Sequence, residues 1–419
     1  MNRYNEYKDS GVQWLGEIPS HWKLLRNKSF MKVTDEKVGQ RKDLLLLSLT
    51  KQGVIVRDLS EGKGKFPKDF NTYLVVRPNN LVFCLFDLDE TPRTVGLVHK
   101  VGMLTGAYTN FELKENIALP EYAYYYYLQV DDVKGLRPYY TGLRKVVKVN
   151  TFLQLRILLP PMEEQHAIVS YLDTKCSMIE TLLSNKEKEI SLLQEMKQRV
   201  IADAVTRGLN PNVKFKATNI PWLPEIPEHW GEIKLKALTL EGKVKNKNVE
   251  ETNVLSLSYG KIIKKKNINE GLVPADYATY QIVAPNDIIL RLTDLQNDHR
   301  SLRCGLVKER GIITSAYTCL KIKQGIADYF YLLLHTYDVL KVFYSMGGGL
   351  RQSMNYVEVS KLRVPVPPIT EQHAIVSYIT DRVSKIDSLI EKLNKEIECI
   401  KEYKQRLISD VVTGQIKVA

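Results

Sequence analysis

The chain has 419 residues, 44% of them hydrophobic, and its 60 lysine and arginine residues against 48 acidic ones give a formal net charge of +12. This length predicts two or three domains, and the basic excess favours a polyanionic partner, nucleic acid ahead of an anionic membrane, although it also serves solubility alone. No run of 18 uncharged apolar residues occurs, which excludes a membrane-spanning helix. The polar N-terminus and five scattered cysteines predict a cytoplasmic protein without a secretory signal, disulfide framework or zinc site.

The first part of the chain predicts a mixed α/β domain. Short runs rich in β-branched and aromatic residues, cut by Gly, Pro and Asn, predict strands at Leu44–Leu49, Thr72–Val76 and Leu81–Phe86. A short helix is predicted at Ala123–Val130. Tyr122, Tyr124–Tyr127 and Tyr139-Tyr140 are candidates for base stacking, but their helical spacing favours packing in the core.

A long helix is predicted directly after Pro160-Pro161. The apolar residues there change to steps of three and four, the heptad pattern of paired helices, and charged residues fill the other faces. The pattern runs over about 45 residues, or about 65 Å of helix, and Gly208 is a suitable C-terminal stop. An apolar seam of this length needs a partner that shields it from water.

The chain then repeats itself. The segment Pro160–Tyr171 recurs 207 positions later as Pro367–Tyr378, and the opening segment Trp14–Trp22 recurs as Trp222–Trp230. All four tryptophans lie in the two opening segments, where His21 and His229 are predicted to be structural. Strands and a helix are predicted in the second domain at Val254–Ser258, Ile288–Leu292, Ile312–Leu320 and Tyr329–Val342.

The repeat predicts a pseudo-dimer fused into one chain. We expect α/β (mixed α+β) domains at 1–158 and 210–365, each followed by a spacer helix, at 159–209 and 366–419. The two helices are expected to pair as an antiparallel coiled coil, because a two-fold relation between the halves would oppose them. The alternative is that each helix packs on its own domain. Thr370 is the predicted N-cap of the second helix.

Basic residues in predicted loops are the candidates for contacts with DNA, because arginine pairs with guanine and both lysine and arginine neutralise phosphates. Arg144 and Arg351 are favoured, since they occupy equivalent places after Gly142 and Gly349 in otherwise divergent sequence. Each of the other candidates is equally compatible with a solvated surface. These are Lys63, Lys65, Arg93, Lys145, Lys264, Lys265, Arg291, Arg300, Arg303 and Gln352.

No catalytic motif stands out. The sequence lacks a GxxxxGK[ST] phosphate loop, and the nearest nuclease-like pattern, Asp89 with Glu112-Leu113-Lys114, is loose enough to arise by chance. The Pro-Pro pairs lack the flanking residues of an amino-methyltransferase site. His166 and His373 lack a third ligand or a nucleophile nearby, so a packed helix start explains them better than metal or acid–base chemistry.

A divergent domain followed by a Pro-Pro-x-x-Glu-Gln helix, repeated twice, resembles the specificity (S) subunit of Type I restriction–modification systems. The resemblance spans essentially the whole chain. It implies that each variable domain is a target-recognition domain that reads half of a split site in double-stranded DNA. It also implies that the helices act as a fixed spacer and dock two methyltransferase (M) subunits.

The resemblance places the cofactors on other chains. S-adenosylmethionine is expected on the M subunits, and ATP with Mg²⁺ on a restriction (R) subunit where one is present, so this chain is expected to be non-catalytic and free of cofactors. Two rival interpretations remain. A single-chain methyltransferase or nuclease would need a cofactor motif, and a coiled-coil scaffold would lack specific affinity for DNA.

Overall fold

The computed structural model describes residues 3–12, 15–41, 43–57, 69–265, 277–295, 298, 301–346 and 353–418. The chain divides into two compact units, Met1–Lys186 with Asn394–Ala419, and Glu187–Leu393. Each unit therefore contains one variable domain, the first half of the long helix that follows that domain, and the last half of the other long helix. The unit boundaries fall inside the helices, whereas the predicted segments meet at the ends of the helices.

The first unit is built mainly from short antiparallel strands. Its helices are α1 (Pro120–Asp132), α2 (Val149–Gln154) and the beginning of α3 (Met162–Arg207). Its strands are β1 (Tyr7–Asp9), β2 (Glu17–Pro19), β3 (Lys23–Arg26), β4 (Met31–Thr34), β5 (Leu45–Thr50), β6 (Gly53–Val56), β7 (Leu74–Val76), β8 (Leu81–Phe83), β9 (Val95–Leu97), β10 (Gly102–Leu104), β11 (Thr109–Leu113) and β12 (Arg156–Leu159).

Two four-stranded sheets, in the orders β4-β11-β8-β9 and β6-β5-β10-β7, form the body of the first domain. Every pair in them is antiparallel except β10 with β5. The tyrosines of α1 pack against this body, as predicted. Tyr127 meets Phe83 and Phe152 at ring-centroid distances of 5.0 and 5.4 Å, and Tyr122 and Tyr126 are fully buried. Helix α1 therefore supplies core aromatics, because tyrosine rings bury large apolar areas. The core prediction is wrong for Tyr139, which lies beyond α1 and is 41% exposed.

The second unit repeats this plan. Its helices are α4 (Leu235–Leu238), α5 (Ala327–Val339), α6 (Tyr356–Val359) and the beginning of α7 (Ile369–Val412). Its strands are β13 (Phe215–Ile220), β14 (Leu223–Pro227), β15 (Gly231–Lys234), β16 (Thr239–Gly242), β17 (Leu255–Ser258), β18 (Lys261–Lys264), β19 (Gln281–Val283), β20 (Ile288–Leu290), β21 (Cys304–Leu306), β22 (Gly311–Ile313), β23 (Thr318–Ile322) and β24 (Arg363–Val366).

The sheet β16-β23-β20-β21 has the same order as β4-β11-β8-β9 in the first unit. The strand predicted at Ile312–Leu320 is wrong as a single element. A turn in which the Tyr317 amide donates to the Thr314 carbonyl divides it into β22 and β23. The two strands pair with different partners, β22 with β19 and β23 with β20, so the division lets one segment contribute to two sheets.

The long helices have 46 and 44 residues, or about 69 and 66 Å at about 1.5 Å per residue, and they run antiparallel within each unit. In the first unit Lys404 of α7 reaches Glu180 of α3 at 2.7 Å. In the second unit the equivalent pair, Lys197 with Asp387, meets at 2.6 Å. The predicted antiparallel pairing is thus confirmed inside each unit.

The helices also pack on the domains. Ile168 and Leu172 at the start of α3 share one core with Leu407 and Val411 at the end of α7 and with the first domain. The alternative arrangement, in which each helix packs on its own domain, is therefore correct for the first turns of the helices. It coexists with the pairing of the two helices. The N-cap prediction for Thr370 is wrong, since α7 already begins at Ile369 and the Gln372 amide donates to the Pro368 carbonyl.

Each long helix ends at a glycine that touches the opening segment of the unit it enters. Helix α3 ends at Arg207 and Gly208 follows with φ +76°, which confirms the predicted stop. A Cβ on Gly208 would lie 3.1 Å from the Trp230 ring. Gly414, after α7, has φ +75°, and a Cβ there would lie 2.5 Å from Cγ of Pro19. The glycines thus permit both the left-handed turn and close packing.

We predict that Gly414→Ala lowers the free energy of unfolding by roughly 2–5 kcal/mol, because left-handed strain and overpacking add. Gly142→Ala is the matched control. Gly142 has φ +68° but nothing within 4 Å of its Cβ position, so strain alone, about 1–2 kcal/mol, is expected. Urea titration of both variants measures the difference, and equal losses would show that the contact with Pro19 contributes nothing.

Candidate nucleic-acid interface

Arg144 lies on a small, tight hairpin that projects from the first domain. Thr141 and Val146 close it with reciprocal backbone hydrogen bonds of 2.8 and 3.0 Å. Gly142 at φ +68° and Lys145 at φ +47° turn the backbone between them. A non-glycine residue in the left-handed region is uncommon, and such strain often marks a functional site. We call residues 141–146 the tip hairpin.

Asp87 fixes the Arg144 side chain. The Asp87 amide donates to the Arg144 carbonyl at 2.7 Å, and its carboxylate accepts from Nε of Arg144 at 3.1 Å and from Nη2. The guanidinium also lies 5.2 Å from the centroid of the Phe86 ring. The hydrogen bond from Arg144 holds the pKa of Asp87 below its ordinary value. Two of the five N–H donors of Arg144 bind Asp87, which leaves three for a phosphate or a guanine edge.

Asp87 was not predicted, although the sequence carries a signal for it. Asp87-Leu88 recurs 207 positions later as Asp294-Leu295. Both aspartates adopt positive φ, at 49° and 57°, and both leucines are buried. The loop that supports the tip hairpin in the first domain is therefore repeated in the second, where Asp294 precedes the segment that contains Arg351.

Arg93 lies at the other end of the same loop and is mostly buried. Its Nη1 is 3.5 Å from Asp132 and 3.8 Å from Asp131, both at the end of α1. Asp131 also accepts from the Thr94 amide at 3.0 Å. These contacts tie the β8–β9 loop to α1. The contact of Arg93 with DNA stays a prediction, but its charge already faces two carboxylates.

The prediction that Arg303 contacts DNA needs correction, because the residue is fully buried. Its guanidinium donates to four backbone carbonyls, those of Arg291, Thr293, Asp294 and Asp298, at 2.5–3.2 Å. Carbonyl acceptors satisfy a buried guanidinium, which would otherwise be costly to desolvate. Arg303 therefore shapes the β20–β21 loop from inside.

The remaining described candidates of the second domain lie on different elements. Arg291 is partly exposed, 3.6 Å from Asp298, and Lys264 is exposed at the end of β18 with Lys265 half-exposed beside it. Their contacts with DNA stay predictions. Five candidates lie outside the described residues. These are Lys63, Lys65, Arg300, Arg351 and Gln352.

A carboxylate at the start of each long helix binds the opening segment of its domain. Glu164 accepts from Nε1 of Trp22 at 3.0 Å and lies 2.6 Å from Nε2 of His21. In the second unit Glu371 accepts from Nε1 of Trp230 at 3.0 Å and lies 2.8 Å from Nε2 of His229. The structural role predicted for both histidines is confirmed.

The following glutamine binds the chain that enters the domain helix. Gln165 accepts from the Leu119 amide at 2.9 Å and donates to the Pro160 carbonyl at 3.0 Å. Gln372 accepts from the Ile326 amide at 3.0 Å and donates to the Pro367 carbonyl at 2.9 Å. We call the pairs Glu164-Gln165 and Glu371-Gln372 the Glu-Gln clamps. They fasten each domain to its helix with hydrogen bonds, of which those from Gln165 and Gln372 to the proline carbonyls are buried.

The helices also expose apolar side chains at equivalent positions. Leu182 of α3 and Leu389 of α7, 207 positions apart, are 46% and 48% exposed. Met196 and Tyr403, also 207 positions apart, are 55% and 50% exposed. The antiparallel ion pairs place Leu182 near the level of Tyr403 in the first unit, and Met196 near that of Leu389 in the second. Each unit thus offers the same kind of surface, which we call the helix patch.

A family model described as the Type I restriction modification DNA specificity domain matches residues 100–192 and 230–399. This match covers more than half of the chain, and the chain therefore belongs to the family of DNA specificity subunits of Type I restriction–modification systems. The resemblance noted from the repeated motifs is confirmed, and the role of the chain is DNA sequence specificity. Among the described residues, no helix has the length and apolar character to cross a bilayer.

Relatives match over most of their length. The chain is 24% identical to the specificity subunit of the Type I restriction enzyme MjaVIII of Methanocaldococcus jannaschii, over 96% of this chain and 94% of that subunit. It is 23% identical to the EcoBI specificity subunit of Escherichia coli, over 62% of this chain and 58% of that subunit.

Two solved structures show the same fold. A chain of a type I R-M system, from work on its complex assembly and conformational transition, has a TM-score of 0.68 at 13% identity, with 95% of this chain and 99% of that one covered. The HsdS subunit of Thermoanaerobacter tengcongensis has a TM-score of 0.51 at 14% identity, with 95% and 98% covered. The predicted mixed α/β domains with two long helices are thereby confirmed.

We predict a pH dependence for the first Glu-Gln clamp. Burial alone would raise the pKa of Glu164, but hydrogen bonds from His21, Tyr4 and Trp22 outweigh it and lower the pKa below its ordinary value of 4.5. A lowered pKa stabilises the fold above the unfolded-state value, and this stability is lost as the pH falls through the folded-state pKa. Glu164→Gln should therefore be less stable than the parent at pH 7, with a difference that shrinks below about pH 4.5.

Chemical denaturation between pH 3 and pH 7 measures this difference. Glu163→Gln, which changes an exposed carboxylate one residue earlier, is the matched control and should follow the parent at every pH. A Glu164→Gln deficit that stays constant down to the lowest pH would contradict the account, because it would show that the ionised carboxylate is not the stabilising form.

Proposed function

We propose that the two variable domains read the two unlike halves of a split site in double-stranded DNA, and that the paired helices fix the distance between them. One observation carries this proposal: the domains diverge in sequence while the Glu-Gln clamps that hold them to their helices are repeated nearly unchanged. Two domains that differ in sequence but are attached to their helices in the same way bind different DNA sequences in the same orientation relative to those helices.

The tip hairpin supports a role in DNA contact. Arg144 has donors left for DNA and is held in place by Asp87, so little side-chain freedom is lost on binding. In protein–DNA complexes such arginines contact guanine edges or backbone phosphates. The net charge of +12 favours the same partner through long-range attraction.

We propose further that the helix patches dock two copies of one methyltransferase (M) subunit. A two-fold repeated surface recruits two copies of one partner. Exposed leucine, methionine and tyrosine side chains at matched positions are typical of an interface that a partner covers. Restriction (R) subunits would join where the system has them.

The chemistry is proposed to reside on the partners. S-adenosylmethionine would bind to the M subunits, and ATP with Mg²⁺ to the R subunit, while this chain recognises DNA without catalysing a reaction and works in the cytoplasm. Purified chain that methylated or cut DNA alone would favour the rival single-chain enzyme instead.

We predict that cells carrying this chain and its M subunit methylate an asymmetric motif of two specific parts separated by a fixed number of unspecified base pairs. The reason is that two different readers are mounted at one set separation. Sequencing of modified bases reads the motif directly, and cells with the M gene alone are the control. A continuous motif would contradict the split-reader proposal, and an absence of methylation beside intact S–M complexes would favour the scaffold interpretation.

We predict that Leu182→Lys with Tyr403→Lys reduces the number of bound M subunits from two to one. The same holds for Met196→Lys with Leu389→Lys, and all four changes together should abolish assembly, since a buried unpaired charge disrupts an apolar interface. Native mass spectrometry counts the subunits. Glu187→Lys, at an exposed position between the patches, is the control for added charge. Two M subunits on the four-fold variant would place the docking surface elsewhere.

A further inference from the structure

Leu143 stands at the outermost point of the tip hairpin and is 100% exposed. A single exposed leucine is ordinary on a protein surface. This one differs because its position is fixed. The hairpin is closed at Thr141 by backbone bonds and by its own hydroxyl, which donates to the Val146 carbonyl at 2.9 Å.

The neighbours of Leu143 reinforce this fixed position. Arg144 is held by Asp87 through two donors, and the next residue, Lys145, adopts φ +47°. The Val147 amide then donates to the Leu85 carbonyl at 2.9 Å, which joins the hairpin to the buried segment just after β8. The backbone therefore accepts local strain and holds Leu143 away from the domain, although folding alone would favour its burial.

The same leucine occurs at the equivalent position of the second domain. Gly142-Leu143-Arg144 recurs as Gly349-Leu350-Arg351, in domains that diverge over most of their length. Leu143 packs on nothing in the part of the chain that the structure describes, as its full exposure shows, so packing does not account for its retention. A side chain kept in both readers serves a partner that both meet, in a contact that does not depend on the bases each domain selects.

The charges around Leu143 favour a polyanion as that partner. Two of the nearby acidic residues form ion pairs: Asp87 binds Arg144, and Asp89 lies 3.5 Å from Arg137. A third, Glu90, is exposed. Lys145 and Lys148 are exposed on the hairpin and at the start of α2. Together with the remaining donors of Arg144, they place positive charge close to the leucine in the chain, which suits contact with DNA phosphates.

We propose that Leu143 is an apolar wedge that enters the minor groove of DNA and partly unstacks one base step, while Arg144 binds an adjacent phosphate. Leucine wedges that pry open a base step are a general means of bending DNA and tolerate many sequences. The inference rests on the proposed DNA recognition and adds a residue that deforms the duplex next to the first half-site. It assigns Arg144 to the backbone, in keeping with its retention in both domains.

The test uses the full chain assembled with its M subunit and duplexes that carry the mapped methylation motif. 2-Aminopurine, whose fluorescence rises when it unstacks, replaces successive bases in and beside the first half-site. Besides any base that the M subunit flips out for methylation, which also unstacks, the parent should raise the fluorescence at one further step. Leu143→Ala should abolish this rise and weaken binding about tenfold, as the lost burial of a leucine implies, without changing the salt dependence. Arg144→Ala should lower the slope of log K against log salt by about 1.

Two further variants sharpen the result. Leu143→Phe, which keeps a large apolar side chain, should restore the fluorescence signal. Val101→Ala, which shortens another exposed apolar residue of the same unit, should match the parent. Unchanged fluorescence and affinity for Leu143→Ala would overturn the proposal.

Other outcomes remain distinguishable. If Leu143→Ala weakens assembly with the M subunit in the absence of DNA but unstacks DNA normally once bound, the hairpin is a protein contact and the wedge is wrong. If the parent assembly shows no preference for the mapped motif over random DNA, the proposed DNA reading itself fails, whatever the variants do.

Discussion

The hydrogen bonds of the Glu-Gln clamps are the constraint on which the rest of each unit depends. Glu164 holds the opening segment of the first domain and Gln165 holds the entry to α1, both from the first turn of α3. The Gln165 amide is buried, whereas the Glu164 carboxylate keeps 18% of its side-chain surface exposed. An unpaired partner of the buried amide would cost about 1–3 kcal/mol, so the arrangement has little freedom to slip. These bonds fix the orientation of each domain relative to the start of its helix.

The cores complete this attachment. Tyr122 of α1 donates to the Leu158 carbonyl of β12 at 2.8 Å and lies 3.3 Å from the Val412 carbonyl at the end of α7. Tyr329 makes the equivalent bonds to Pro365 and to Val205 at the end of α3. Each domain is therefore joined to the start of one long helix and to the end of the other, so that any change in helix length must act on both attachments.

The sequence predicted the features that depend on a local periodicity of apolar residues. Heptad spacing predicted the long helices, and helical spacing predicted the buried tyrosines of α1, because both depend on local periodicity. It could not predict that Arg303 is buried, since a loop folded around a guanidinium is set by carbonyls of residues up to 12 positions away. Asp87 escaped notice because its partner Arg144 is 57 positions distant, although the repeated Asp-Leu pair was a usable signal.

The most direct test of the central claim, that helix length sets the distance between the two readers, is to insert four residues into α3 between Lys186 and Ser191. The insertion adds about 6 Å and close to one full turn, so the apolar seam shifts by a fraction of a turn. At about 3.4 Å per base pair, the methylated motif should keep both specific halves and gain one or two base pairs of spacer. Altered specific bases with an unchanged spacer, in methylation maps made with the same M subunit, would contradict the account.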